Sequence, residues 1–131
     1  MRFRRTLTAG LLLVIALSVD GRLLFGHHSV TGYDSSKESQ LRGTVVELRW
    51  RNPHIFVVWD VKDSDGKIVQ WTGEMNSPFS MMAAGMNRNS LKPGDEVIVS
   101  VNPSKSGNPN GVVRKITMAD GKVVVDRFMP Q

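Results

Sequence analysis

The chain has 131 residues, 17 Lys and Arg against 12 Asp and Glu, a formal net charge of +5 and no cysteine. Without cysteine there is no disulfide and no lipoprotein attachment, so a single small domain must be held by its core alone. Residues 1–26 carry Arg2, Arg4, Arg5 and Arg22 against Asp20; the remainder has 13 basic and 11 acidic residues, a net of +2. These charges are interspersed, as Lys62 is with Asp60 and Asp63, which excludes the concentrated basic stripe of a nucleic-acid binder.

The first element is an export signal. Three arginines precede an apolar run from Leu7 to Val19, which Asp20 and Arg22 interrupt before the ~20 residues of a spanning helix. Residues 1–26 are therefore read as a signal peptide, cut after Ser18 or after Gly26, and the mature protein is placed in the periplasm. If the signal is retained uncleaved, it anchors the domain on the outer side of the inner membrane.

His27 to Gln40 is polar and reads as an extended arm. Val46, Leu48 and Trp50 then alternate with Glu47 and Arg49, the period of a half-buried strand. After Asn52-Pro53, His54 to Val61 is an almost continuous β-branched and aromatic run, as in a central strand. Asp63-Ser64-Asp65-Gly66 is hairpin-turn chemistry, and Lys67 to Met75 returns as a third strand.

Ser77-Pro78 starts a helix: the hydroxyl caps it, and proline fits the first turn, where its missing amide costs nothing. Phe79, Met82, Ala83 and Met86 recur at helical spacing, and Gly85 keeps the helix short. Leu91 to Asp95 is a turn, Glu96 to Val101 a fourth strand, Val112 to Met118 a fifth, and Lys122 to Asp126 a last short strand.

A three-strand meander, a short helix and two further strands is the order of the OB-fold. The fold class expected is all-β: a small OB-fold-like antiparallel barrel (β-β-β-α-β-β) over 41–126, preceded by the arm 27–40 and followed by a tail 127–131. An open or sandwich-like barrel with the same meander is the alternative. Val46, Leu48, Val57, Trp59, Val69, Val97, Val99 and Ile116 are the expected core.

Several short motifs occur together: His27-His28-Ser29, Leu41-x-Gly43-Thr44-Val45, Trp50-x-Asn52-Pro53-His54, Val61-x-Asp63-x-Asp65-Gly66-Lys67, Trp71, Glu74-x-x-Ser77-Pro78 and Leu91-Lys92-Pro93-Gly94-Asp95-Glu96-Val97. In combination they resemble domain-of-unknown-function family 6152, small exported bacterial proteins, from His27 to about Val124. The resemblance implies export, one small β-barrel and no assigned activity. It transfers no catalytic residue.

The chain's three histidines are His27, His28 and His54. Imidazole is the commonest metal ligand, and the arm can bring the first two toward His54 at a barrel rim. Copper and zinc are the candidate ions. A cut after Gly26 would add a free amine beside His27, which suits copper, and Met75, Met81, Met82 and Met86 are soft thioethers. The bland alternatives are a hydrogen-bonded turn histidine, a solvated arm and core methionines.

Trp50 and Trp71 are candidates for stacking on a small ligand, or for core. Glu74 can point into a cleft beside the helix as a ligand-binding group; its bland role is to accept amides near the helix start. No phosphate loop, nucleophile elbow or HExxH motif occurs, and no enzyme is expected. The expected function is a periplasmic binding or interaction module for a small ligand or partner protein; the alternative is a copper-type metal-binding protein using His27, His28 and His54. The sequence sets no oligomeric state.

Overall fold

A computed structural model describes residues 30–127. A short 3-10 turn, Val30–Gly32, precedes β1 (Ser39–Arg49), β2 (Phe56–Lys62), β3 (Ile68–Glu74), the helix α1 (Pro78–Ala83), β4 (Glu96–Pro103), β5 (Asn110–Met118) and β6 (Val123–Asp126). Among the described residues no helix is long and apolar enough to cross a membrane.

β1 is long enough to serve two partners. Its first half pairs with β4, from Ser39 opposite Val101 to Thr44 opposite Glu96, and its second half with β2, ending at Arg49 opposite Phe56. β2 and β3 form the hairpin expected around Asp63 to Gly66, where Gly66 has φ +82° and the Asp63 carboxylate accepts the amides of Asp65 and Lys67. β4 pairs with β5, and β5 closes the ring on β3. The result is a closed five-stranded barrel with one short helix between β3 and β4, to which β6 adds a strand beside β5. The OB-like order read from the sequence is thus the observed order.

Closure differs from an all-antiparallel expectation at one seam. β3 and β5 run parallel, with Thr72 opposite Asn110, Gly73 opposite Gly111 and Glu74 opposite Val112. Glycines sit where the walls come closest. A Cβ on Gly43 would meet the Asp60 carbonyl oxygen at 2.1 Å, and one on Gly73 would meet Val113 at 2.6 Å. These positions are glycine because the barrel is narrow there, not because the backbone needs positive φ.

The core is a cluster of valines, Ile55, Ile116 and methionines around the fully buried Trp59. Val57, Trp59, Val97, Val99 and Ile116 are buried as expected, while Leu48 is half-buried and packs against the core and Val69 is also half-buried. Val46 is a correction: it is 39% exposed, and Val45 is buried instead. The pairing with β2 slips between Val45 and Glu47, so the strand carries a bulge. One extra residue shifts the inward phase, and Leu48 and Trp50 recover it.

The helix also departs in detail. Ser77 caps it as expected, accepting the Ser80 amide, and Gly85 follows it with φ +86°. At six residues it is too short for a repeating apolar face. Met81, not Met82, is buried, and Phe79 and Met82 are 80% and 54% exposed.

Candidate functional site

The β2–β3 register sets the site. Phe56 stands opposite Glu74 at the open end of the hairpin, and Ile55 continues the pairing with backbone bonds to Met75 and Asn76. His54, one residue earlier, therefore lies beside Glu74. Its Nδ1 is 2.5 Å from Glu74 Oε1. A carboxylate only accepts, so Nδ1 carries the hydrogen of this bond. The Glu74 side chain is 10% exposed and that of His54 36%.

The arm supplies the second partner of Glu74. Tyr33 donates its hydroxyl to Oε2 at 3.3 Å. Burial, then the Glu74 charge and this hydrogen bond, push the Tyr33 phenol above its ordinary range, which keeps it a donor.

Several contacts hold the arm in place. Tyr33 bridges to Ser104, the Asp34 amide bonds the Pro103 carbonyl at 2.8 Å, and Asn102 Nδ2 donates to the Lys37 carbonyl at 2.7 Å. Glu38 accepts the hydroxyl of buried Ser100. Asp34 also turns the chain locally: the Ser36 hydroxyl foremost holds its carboxyl below the usual range, against a weaker effect of burial.

Tyr33, His54, Glu74, Met75, Asn76 and Arg127 line a small cleft of about 90 Å³. Arg127 follows β6 and donates to the Val113 carbonyl and to Asn76 Oδ1, both at 3.3 Å. A larger hollow of about 600 Å³ lies between the segment after α1 and the β5–β6 turn, lined by groups such as Asn87, Asn89, Asp120 and Lys122. Among the described residues no histidine lines it.

The structure thus brings together two of the sequence candidates, His54 and Glu74. A carboxylate thus lies beside a histidine. The helix-start role of Glu74 is corrected: Ser77 caps α1, while the Glu74 oxygens hold His54 and Tyr33. Trp50 and Trp71 lie elsewhere, half-buried against the core, with the Trp71 ring centroid 6.1 Å from that of Trp59. Met75, Met81 and Met86 are buried. His27 and His28 lie outside the described residues. Among the described residues no group of three or more His, Cys, Asp or Glu is placed to hold a metal ion.

Tyr33, Asn76 and Arg127 escaped the sequence reading. Tyr33 had a signal: it is the chain's single tyrosine, set in an otherwise polar arm. Asn76 was reachable by counting pairs back from the hairpin turn, which sets it against His54. Arg127 had none, since its position depends on where β6 docks.

No curated protein and no solved structure matches the chain. Residues 14–115 match a family of unknown function, DUF6152, and this covers most of the chain, including both histidine segments and Glu74. The chain belongs to that family, DUF6152.

Proposed function

We propose that this protein is an exported binding module whose ligand is a divalent metal ion, copper or zinc, taken by His54 at the barrel end together with His27 and His28 of the arm. The observation that carries the reading is the Glu74 carboxylate, which holds His54 through Nδ1 on one oxygen and Tyr33 of the arm on the other. A carboxylate behind an imidazole fixes its tautomer and ring orientation, the arrangement that supports metal-ligating histidines.

The same carboxylate brings the arm to the site. His28 is five residues before Tyr33, a span of at most ~17 Å at ~3.3 Å per residue. Ordering a free arm would cost ~1–2 kcal/mol per residue. Here the stretch from Tyr33 to Glu38 is already tied to β4 and its following loop, so metal binding need not meet the cost of ordering that part of the arm. Met75 in the cleft wall adds a thioether, and a mature chain beginning at His27 would add its amine; both favour copper. The reading assigns binding, not catalysis.

Calorimetric titration of Cu(II) and Zn(II) into protein purified from the periplasm tests it. The expected result is one site tighter than micromolar that weakens in His54→Ala and in the double substitution His27→Ala, His28→Ala. Millimolar binding, or binding indifferent to both variants, would leave His54 a structural turn residue.

A further inference from the structure

On the other side of Arg127 and Asn76 from the histidine cleft lies a groove of about 440 Å³ against α1. Phe79, Met81, Ala84 and Val125 supply its apolar lining, and Asn76, Arg127 and Asp126, whose carboxylate pairs with Lys115, its polar groups. We infer that this groove binds a small amphipathic carboxylate, with the acid group on the Arg127 guanidinium and an apolar body along α1.

Charge is the first argument. A guanidinium has five N–H donors in a rigid fork. Arg127 spends two, on the Val113 carbonyl and Asn76 Oδ1, and neither acceptor is charged. It forms no salt bridge among the described residues. The acids that could have paired with it are committed: Glu74 holds His54 and Tyr33, and Asp126 takes Lys115 at 3.0 Å. A half-buried cation with donors to spare and no counter-charge among the described residues favours an arriving anion. Burial and, second, the nearby Arg114 charge hold Arg127 below its ordinary range, consistent with that deficit.

Shape is the second argument. Phe79 is 80% exposed beside the groove although it belongs to the short helix that forms one wall. An apolar cleft of a few hundred Å³ with a few convergent polar groups is the usual form of a small-molecule site. A planar carboxylate matches the fork bidentately, and an apolar chain matches the helix side. The rival occupant is the chain's own Phe128-Met129 segment, which follows Arg127 directly.

The inference does not rest on the metal reading, so its test uses metal-free protein. Octanoate is titrated into the exported protein in EDTA and followed by NMR, with octanamide and chloride as comparators. Saturable shifts at Asn76, Ala84 and Arg127 are expected, with octanamide weaker by about tenfold or more, the equivalent of one charge-assisted contact. Arg127→Gln should weaken octanoate similarly, Arg127→Lys less, and Phe79→Ser should weaken it without unfolding the barrel. Equal binding of octanamide, equal response to chloride, or binding seen only after truncation at Arg127 would overturn the inference, the last in favour of the chain's own tail.

Discussion

Replacing Glu74 by glutamine separates the structural part of this site from its chemistry. Glu74 accepts from both His54 Nδ1 and Tyr33 Oη. Glutamine keeps the shape but offers one acceptor oxygen and one donor nitrogen. With its oxygen toward Tyr33, its NH2 faces His54, and both bonds survive if the imidazole switches its proton from Nδ1 to Nε2. The fold should therefore notice little, within about 1 kcal/mol or roughly 4–8 °C in Tm for a domain of this size.

The metal site should notice much, because Nε2 would then carry a hydrogen where the ion needs a lone pair. Loss of such a supporting carboxylate typically costs about tenfold to a hundredfold in metal affinity. Glu74→Ala behaves differently. It removes the shared acceptor of two donors, and a charge-assisted bond is worth about 1.5–3 kcal/mol. The His54 side chain is 36% exposed and can rehydrate, so roughly 1–2 kcal/mol is expected. Long-range 15N–1H spectra of the histidine ring report the tautomer, and calorimetry reports the affinity. An unchanged Nδ1–H tautomer in Glu74→Gln, or unchanged copper affinity with the tautomer switched, would refute the reasoning.

Three further outcomes are expected. Gly43→Ala drives a Cβ to 2.1 Å from a backbone oxygen that cannot swing away, so denaturant unfolding should show a loss at or above the ~1–3 kcal/mol typical of overpacking. The raised Tyr33 phenol contributes stability that is fully present below the ordinary tyrosine range near ~10 and is lost as pH rises through its higher folded value; Tyr33→Phe should flatten that alkaline decline in a pH series of melts. N-terminal sequencing of secreted material should find Arg2 to Ser18 removed, and a retained Arg4-Arg5 would mean an anchored domain.

Much of the barrel was legible because turn chemistry and period-two patterning agree: Asp63 to Gly66 centres the hairpin, and Ser77-Pro78 starts the helix where expected. The errors share one cause, which is that local pattern does not see a register. The bulge at Val46 is an irregularity of pairing with β2, and apolar spacing from Phe79 to Met86 presumes a helix longer than the six residues formed. The site was half legible. His54 and Glu74 were each singled out, but they are twenty residues apart, and their contact follows only from carrying the hairpin register back to its open end. Tyr33 and Arg127 depend on how the arm and β6 dock, which no short window of sequence contains.

The most direct test of the metal reading is pulsed EPR of Cu(II)-loaded protein purified from the periplasm, compared with His54→Ala. Imidazole nitrogen modulation from more than one histidine is expected in the parent protein, with one coupled ring lost in the variant. Identical modulation in the two proteins, or none in either, would contradict it.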